Sequence, residues 1–331
     1  MKKRSVYHIF NRIPLSFVTG ISLFILLLNP VYGGQLVVNK GIIDKDTIWQ
    51  GEILIKGDVE IANGATLTIL PGTVVRFAKI DDFGPEKLSQ DKLNHFPKAE
   101  LVVKGKLYAQ GTLENKITFT SAEKSPSPGD WGSVNFLGSV DNIMEFCVFT
   151  YAHTAVHCHS AQVVVSHCTF HYNGVAIGQK NAKGMPNKCV VPMLYNWITE
   201  NGGGILYGGG STPTIAHNEI NNNTFFGIYA KKGGLANVRY NNISHNGKGV
   251  IFYAVKDILL RDNNITNNND YNISLLDGQV EDIDVRHNWW GTTDEGKIKS
   301  LVRDNARDKA LGHVDFSDAL KGPVNGAGLL W

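Results

Sequence analysis

Three arginines recur at one place in a repeated phrase: Arg239, Arg261 and Arg286, each two positions before an asparagine. If the repeats stack, these guanidiniums lie about 4.8 Å apart and repel one another unless acids or an anion lie among them. Such a column would grip an acidic polymer through charge-assisted hydrogen bonds to carboxylate or sulfate. Its plainer reading is a solvated face, with a neighbour such as Asp284 supplying the counter-charge. Trp289 and Trp197 follow their asparagines by one place, where an indole either stacks on a sugar ring or packs under a loop. Asp262 and His287 precede theirs by one place and are the nearest approach to an acid–base pair. Strict alternation leans that slot inward, which favours polar residues satisfied at a turn.

A second cluster lies in residues 153–171, with His153, His157, His159, His167 and His171 beside Cys147, Cys158 and Cys168. His157 and His159 share one face of a strand, and this mixture suits copper or zinc. No paired ligand spacing of the zinc type accompanies it. With Cys189 there are four cysteines, allowing three pairings. Cys147 and Cys168 fall in equivalent slots one repeat apart, and Cys158 with Cys189 is the other natural pair. Structural use, as thiols or disulfides, is the simpler reading.

What must position these residues is a phrase written five times. Leu194-Tyr-Asn-Trp-Ile198, Ala216-His-Asn-Glu-Ile220, Arg239-Tyr-Asn-Asn-Ile243, Arg261-Asp-Asn-Asn-Ile265 and Arg286-His-Asn-Trp-Trp290 place their asparagines 22, 23, 22 and 25 residues apart. A second asparagine follows five positions later at Asn201, Asn223, Asn246 and Asn268, and a small or turn residue then precedes an aliphatic. A fixed period of this length means a solenoid. The three short strands per repeat are too few for a propeller blade, and no leucine-rich or helical spacing is present. Cys147 and Cys168 occupy the asparagine slot of two earlier, degenerate copies. The column Ile198, Ile220, Ile243, Ile265 is predicted to be a buried ladder, and Met193, Ile215, Val238, Leu260, Val285 another. Asparagine suits a corner because it tolerates left-handed backbone, and stacked asparagines bond along their column.

Toward the N-terminus, short alternating strands ended by glycine continue the pattern, interrupted by a polar loop over residues 81–97 that carries the lone pair Asp81-Asp82. Before them, Lys2, Lys3, Arg4 and Arg12 precede an apolar run over residues 13–28. This predicts a signal peptide over residues 1–33, cleaved after Gly33, the alternative being an uncleaved anchor. No later stretch is apolar enough to span a membrane. The solenoid is expected over residues 34–290. Residues 291–331 are read as a cap and tail, with a helix opened by Thr293-Asp-Glu and a last strand around residues 312–316. Charge is balanced, 32 basic against 30 acidic residues for +2 among 331, which does not ask for nucleic acid.

Asn-x-Ile-x-x-Asn closed by Gly-Ile or Gly-Val, preceded by Gly64-Ala-Thr-Leu-Thr-Ile-Leu-Pro-Gly72 and Gly129-Asp-Trp-Gly132, resembles the right-handed parallel β-helix repeat proteins. That pectate-lyase-like superfamily includes periplasmic accessory proteins of the nitrous-oxide-reductase type. The resemblance covers essentially all of the chain after residue 33 and implies an all-β, single-stranded solenoid of about 22-residue coils. It implies less about activity, because the superfamily holds lyases, hydrolases, epimerases, adhesins and non-catalytic proteins. A lyase would recruit calcium through carboxylates of adjacent coils, but Asp257, Asp262, Asp270, Asp277, Asp282 and Asp284 do not repeat in register. The Asn-Thr-Asp, Gly-His-Gly and Asp-Pro-His-Asp signatures of related hydrolases and epimerases are absent.

The leading expectation is therefore an exported, monomeric, non-catalytic protein without a cofactor. It would bind polysaccharide or another surface polymer along Arg239, Arg261, Arg286 and Trp289. A lyase or glycoside hydrolase using Asp262 and His287 is the second reading. A periplasmic metal-handling protein using His153, His157 and His159 is the third.

Overall fold

The computed structural model describes residues 34–80 and 98–329; the segment read as a signal peptide and the Asp81-Asp82 pair lie outside them. Within the described residues the chain winds as a parallel β-helix with three strand-bearing faces. Face one carries nine parallel strands, from Thr47–Trp49 to Leu259–Leu260. Face two runs from Val74–Phe77 to Asn264–Thr266, and face three from Leu101–Val103 to Val302–Arg303. The long strand Glu52–Ile61 turns from face two into face three, pairing first with Val74–Phe77 and then with Leu101–Val103.

Side chains alternate in and out along each strand, so the in-register pairing turns the apolar positions into columns. On face one, Met144, Val165, Met193, Ile215, Val238 and Leu260 stack in register and are fully buried, and Val285 is buried beyond them. On face two, Ile198, Ile220, Ile243 and Ile265 continue a column that runs from Ile53 and Val75 through Phe119, Phe149 and Phe170. The three phenyl rings lie nearly parallel, 4.9 and 4.8 Å apart, so an aromatic pile passes into an isoleucine pile.

Two asparagine ladders stitch the corners. Asn196, Asn218, Asn241, Asn263 and Asn288 form one, and Asn173, Asn201, Asn223, Asn246 and Asn268 the other; all are buried. In each, one side-chain oxygen accepts both the backbone N–H and the amide of the asparagine one coil earlier, as Asn241 does for Asn218 at 2.9 and 2.9 Å. The amide also donates to a main-chain carbonyl of the preceding coil, Asn218 to Met193 at 2.9 Å. The ladder thus satisfies the main-chain groups that a tight corner would otherwise bury unpaired.

Here the structure corrects the corner chemistry expected from sequence. The left-handed residue is the one before the asparagine, or before the cysteine that fills its slot: Phe146, His167, Tyr195, His217, Tyr240, Asp262 and His287 all have φ between 48 and 58°. Left-handed backbone costs a non-glycine residue about 1–2 kcal/mol. Where an asparagine follows, it is the hydrogen-bonding rung that holds that residue. The same φ inversion turns these side chains outward, contrary to the inward lean of simple alternation. Phe146, His167, Tyr195, His217 and Tyr240 stack as an external pile with centroids 4.8, 5.2, 4.9 and 5.1 Å apart.

At the C-terminal end the coil continues past the last repeat. Asp294 caps the helix Glu295–Ser300 by accepting from the Lys297 N–H, and Ile298 seals the core. Val302–Arg303 then adds a rung to face three, and Val314–Asp315 pairs with Ile283–Asp284. Beyond it the chain doubles back over face two. No helix among the described residues is long and apolar enough to cross a membrane.

Candidate functional site

The arginine column exists, but its charge is largely answered within the chain. Arg239 pairs in strand register with Ala216 on face one, and Arg261 follows one coil on. Arg261 Nη2 lies 2.6 Å from Asp284 Oδ2, while Arg286 grips the same carboxylate from its other side through Nε at 3.0 Å and Nη2 at 2.8 Å. Arg286 also lies 3.6 Å from Asp315. Hydrogen bonds from Arg286, with the charge of Arg261 beside them, hold Asp284 down at a pKa of about 2. Trp289 is half-buried on face two, in bridge contact with Asn264, so it does not share a face with the arginines.

Asp262 and His287 stack on adjacent coils, joined through their backbones, the Asp262 N–H donating to the His287 carbonyl at 2.6 Å. The His287 imidazole turns instead to Asp318 of the returning C-terminal segment, at 2.9 Å. His167, Tyr195 and His217 have both ring faces covered by their neighbours in the external pile and offer only their edges to a sugar.

His157 and His159 do point the same way, with Nδ1 and Nε2 3.4 Å apart. Burial pushes both imidazoles toward the neutral form, His159 to about 3. His153 contacts the neighbouring Thr154 hydroxyl instead. Among the described residues no group of three or more His, Cys, Asp or Glu is placed to hold a metal ion.

All four cysteines are buried free thiols, and they meet in the pairs expected from register. The Cys147 N–H donates to Cys168 Sγ at 3.4 Å, and the Cys168 N–H to Asn196 Oδ1 at 3.0 Å. The Cys168 thiol therefore acts as the first rung of the asparagine ladder, its sulfur accepting where an amide oxygen does further on. Cys189 Sγ reaches the Cys158 carbonyl at 3.6 Å. Burial raises the Cys147 and Cys158 pKa values well above that of a free thiol.

The outward face richest in groups that recognise a ligand is the C-terminal part of face three. An open depression of about 530 Å³ is lined by Tyr229, Tyr253 and Tyr271 with Lys248, Ser274, Leu276, Asp277 and Arg303. The strand register explains the gathering. Tyr229, Ile251, Ser274 and Arg303 form one column, with Lys248 and Tyr271 in the next and Tyr253 beyond on the other side. Lys231 sits 4.9 Å above the Tyr229 ring and Arg307 5.3 Å from that of Tyr271, so cations steady the rings. Arg303 pairs with Asp277 at 2.9 Å and Lys248 with Asp270 at 2.7 Å. Ser274 Oγ, beneath the depression, is buried with no hydrogen-bond partner among the described residues.

A larger depression of about 720 Å³ lies on face one, lined by Asp257, Asp282 and Asp284 with Lys256 and small or aliphatic residues. It has no aromatic wall, and Asp284 is already committed to two arginines. The tyrosine cleft lies away from the slots beside the asparagines, so the repeated phrase does not point to it. Tyr229 and Tyr271 flank the glycine–aliphatic marker that closes the phrase, and following that marker's outward neighbours through the repeats would have found them.

Comparison with known proteins agrees with this architecture. The family model described as right handed beta helix region matches residues 114–290, and that of a pectate-lyase like beta helix domain matches residues 41–145. No curated protein matches the chain. Two solved structures are similar, both single-substitution mutants of the periplasmic alginate epimerase AlgG. One is 12% identical with a TM-score of 0.39, covering 89% of this chain and 73% of its own. The other is 14% identical with a TM-score of 0.37, covering 87% and 74%. With a coil register that runs unbroken from residue 101 to residue 303 and a family match over more than half its length, the chain belongs to the right-handed parallel β-helix proteins.

Proposed function

We propose that this is an exported, non-catalytic β-helix protein that binds polysaccharide or another surface polymer on face three. The observation that carries the reading is the cleft of Tyr229, Tyr253 and Tyr271 edged by Lys248, Asp277 and Arg303. Sugars are recognised by aromatic faces that cover their C–H surfaces and by charged or amide groups that bond their hydroxyls. The cleft supplies both across successive coils, which rise about 4.8 Å each and so spread the contacts along a chain-like ligand. Its one lining acid, Asp277, is held by Arg303, which favours holding a polymer over proton transfer. The positive N-terminus followed by an apolar run supports export. The arginine column then serves chiefly as internal ion pairing on face one, with Arg239 as the member with no ion pair to an acid among the described residues.

The test is a glycan array on wild-type protein and the Tyr253→Ala variant. Retention of a defined class of glycans that Tyr253→Ala weakens supports the reading, and a blank array excludes it.

A further inference from the structure

After Val314–Asp315 the chain runs back across face two against the direction of coil stacking, and its contacts are unusually regular. The Leu320 N–H donates to the Asn288 carbonyl at 3.1 Å. Val324 meets Asn264 with both main-chain groups, its N–H donating to Oδ1 at 2.8 Å and its carbonyl accepting from Nδ2 at 3.5 Å. One coil earlier, Asn242 Nδ2 reaches the Ala327 carbonyl at 3.5 Å and the Gly328 N–H donates to the Tyr240 carbonyl at 2.8 Å. His217 Nδ1 closes the set on the Gly326 carbonyl at 3.0 Å.

The surface under this strap is an outer column of face two: Glu219, Asn242, Asn264 and Trp289 in strand register, continued on the far side by Trp197. The column also carries hydrogen bonds of its own. Asn264 donates to Asn242 Oδ1 at 2.8 Å, and Asn242 to Glu219 Oε2 at 2.8 Å. These bonds fix three planar polar groups at the coil spacing. Trp197, paired with Glu219 one coil on, stands 44% exposed, and Lys321, Pro323, Asn325 and Gly326 of the strap face solvent.

We infer that this column is a second saccharide-binding site and that the C-terminal strap closes it by occupying it. Val324 offers the Asn264 side chain one donor and one acceptor, and Ala327 offers Asn242 an acceptor. Two neighbouring sugar hydroxyls offer the same complement, and the exposed Trp197 face supplies the apolar platform at the column's end. A tethered strap competes at high effective concentration, so ligand binds only the open fraction and its apparent affinity falls by that fraction. The site is separate from the face-three cleft and stands whether or not that cleft binds glycans.

The strap can be loosened in the full-length chain without touching the core. Val324→Pro removes the N–H that Asn264 accepts. Gly328→Val places a Cβ against Asn242 Nδ2 and 2.9 Å from Glu219 Oε2, at a φ of 83° that valine does not tolerate. Amide exchange of residues 319–329 reports strap release, and titration with cellohexaose and hexagalacturonate reports binding. The expected result is faster exchange in both variants and at least tenfold tighter binding of one hexasaccharide. Adding Asn264→Ala to either variant removes the gain, and adding Tyr253→Ala does not. Released strap with binding no better than wild type overturns the inference. Unchanged exchange in both variants also overturns it, because the segment is then a fixed part of the fold. Loss of wild-type binding in Tyr253→Ala alone concerns the face-three reading only.

Discussion

Asn218 holds Asn196 through a single oxygen: its Oδ1 accepts the Asn196 backbone N–H at 2.9 Å and the Asn196 side-chain amide at 3.0 Å. Removing that oxygen strands two buried donors at once, and an unpaired buried donor costs about 1–3 kcal/mol. Asn218→Ala is therefore expected to destabilise the protein by about 2–5 kcal/mol in urea unfolding. Asn269→Ala, at an exposed asparagine of the same repeat family, is expected to stay within about 0.5 kcal/mol.

The four thiols carry a second prediction. Each is buried; the Cys168 sulfur serves as a ladder rung that accepts the Cys147 N–H, and the Cys147 thiol donates to the Ala109 carbonyl. The native protein is expected to show no thiol reactive toward a chromogenic disulfide reagent, and the denatured, unreduced protein to show four. Fewer than four after denaturation would show that a neighbouring pair has been oxidised.

Asp284 ties Arg261 to Arg286, and its depressed pKa sets the direction of a pH effect. Because the folded-state value, about 2, lies below the unfolded carboxylate value, the ion pairs stabilise fully above about pH 4. That stabilisation is lost as pH falls from about 4 to about 2. Asp284 is 38% exposed, so solvent screening reduces the contribution to about 1 kcal/mol. Thermal melts of wild type and Asp284→Asn at pH 7 should differ by that amount and converge by pH 2. A gap that persists at pH 2 contradicts the assignment.

The solenoid was legible because its code is linear. Ile198, Ile220, Ile243 and Ile265 must be buried together once the period is known, and so must the asparagines that follow the arginines. The corner was misread for a physical reason. Backbone handedness there is imposed by the ladder, so residues as different as Phe146, Asp262 and His287 adopt the same left-handed φ, and residue type gives no signal. The arginines fall in register and Asp284 is legible as a source of counter-charge, but sequence does not show that its one carboxylate is gripped by both Arg261 and Arg286. The tyrosine cleft was hidden in the strands that close each coil, where glycine and aliphatic residues carry the repeat and the outward positions vary freely.

The central claim is that face three, with its tyrosines, holds the polymer and that the arginine column does not. Calorimetric titration of the best glycan from the array into wild type, Tyr253→Ala, Tyr271→Ala and Arg261→Ala separates the two surfaces. Loss of an aromatic platform should weaken binding at least tenfold, about 1.4 kcal/mol, in each tyrosine variant, and Arg261→Ala should bind within about twofold of wild type. The reverse order, with Arg261→Ala impaired and both tyrosine variants unaffected, would contradict the account and return the site to face one.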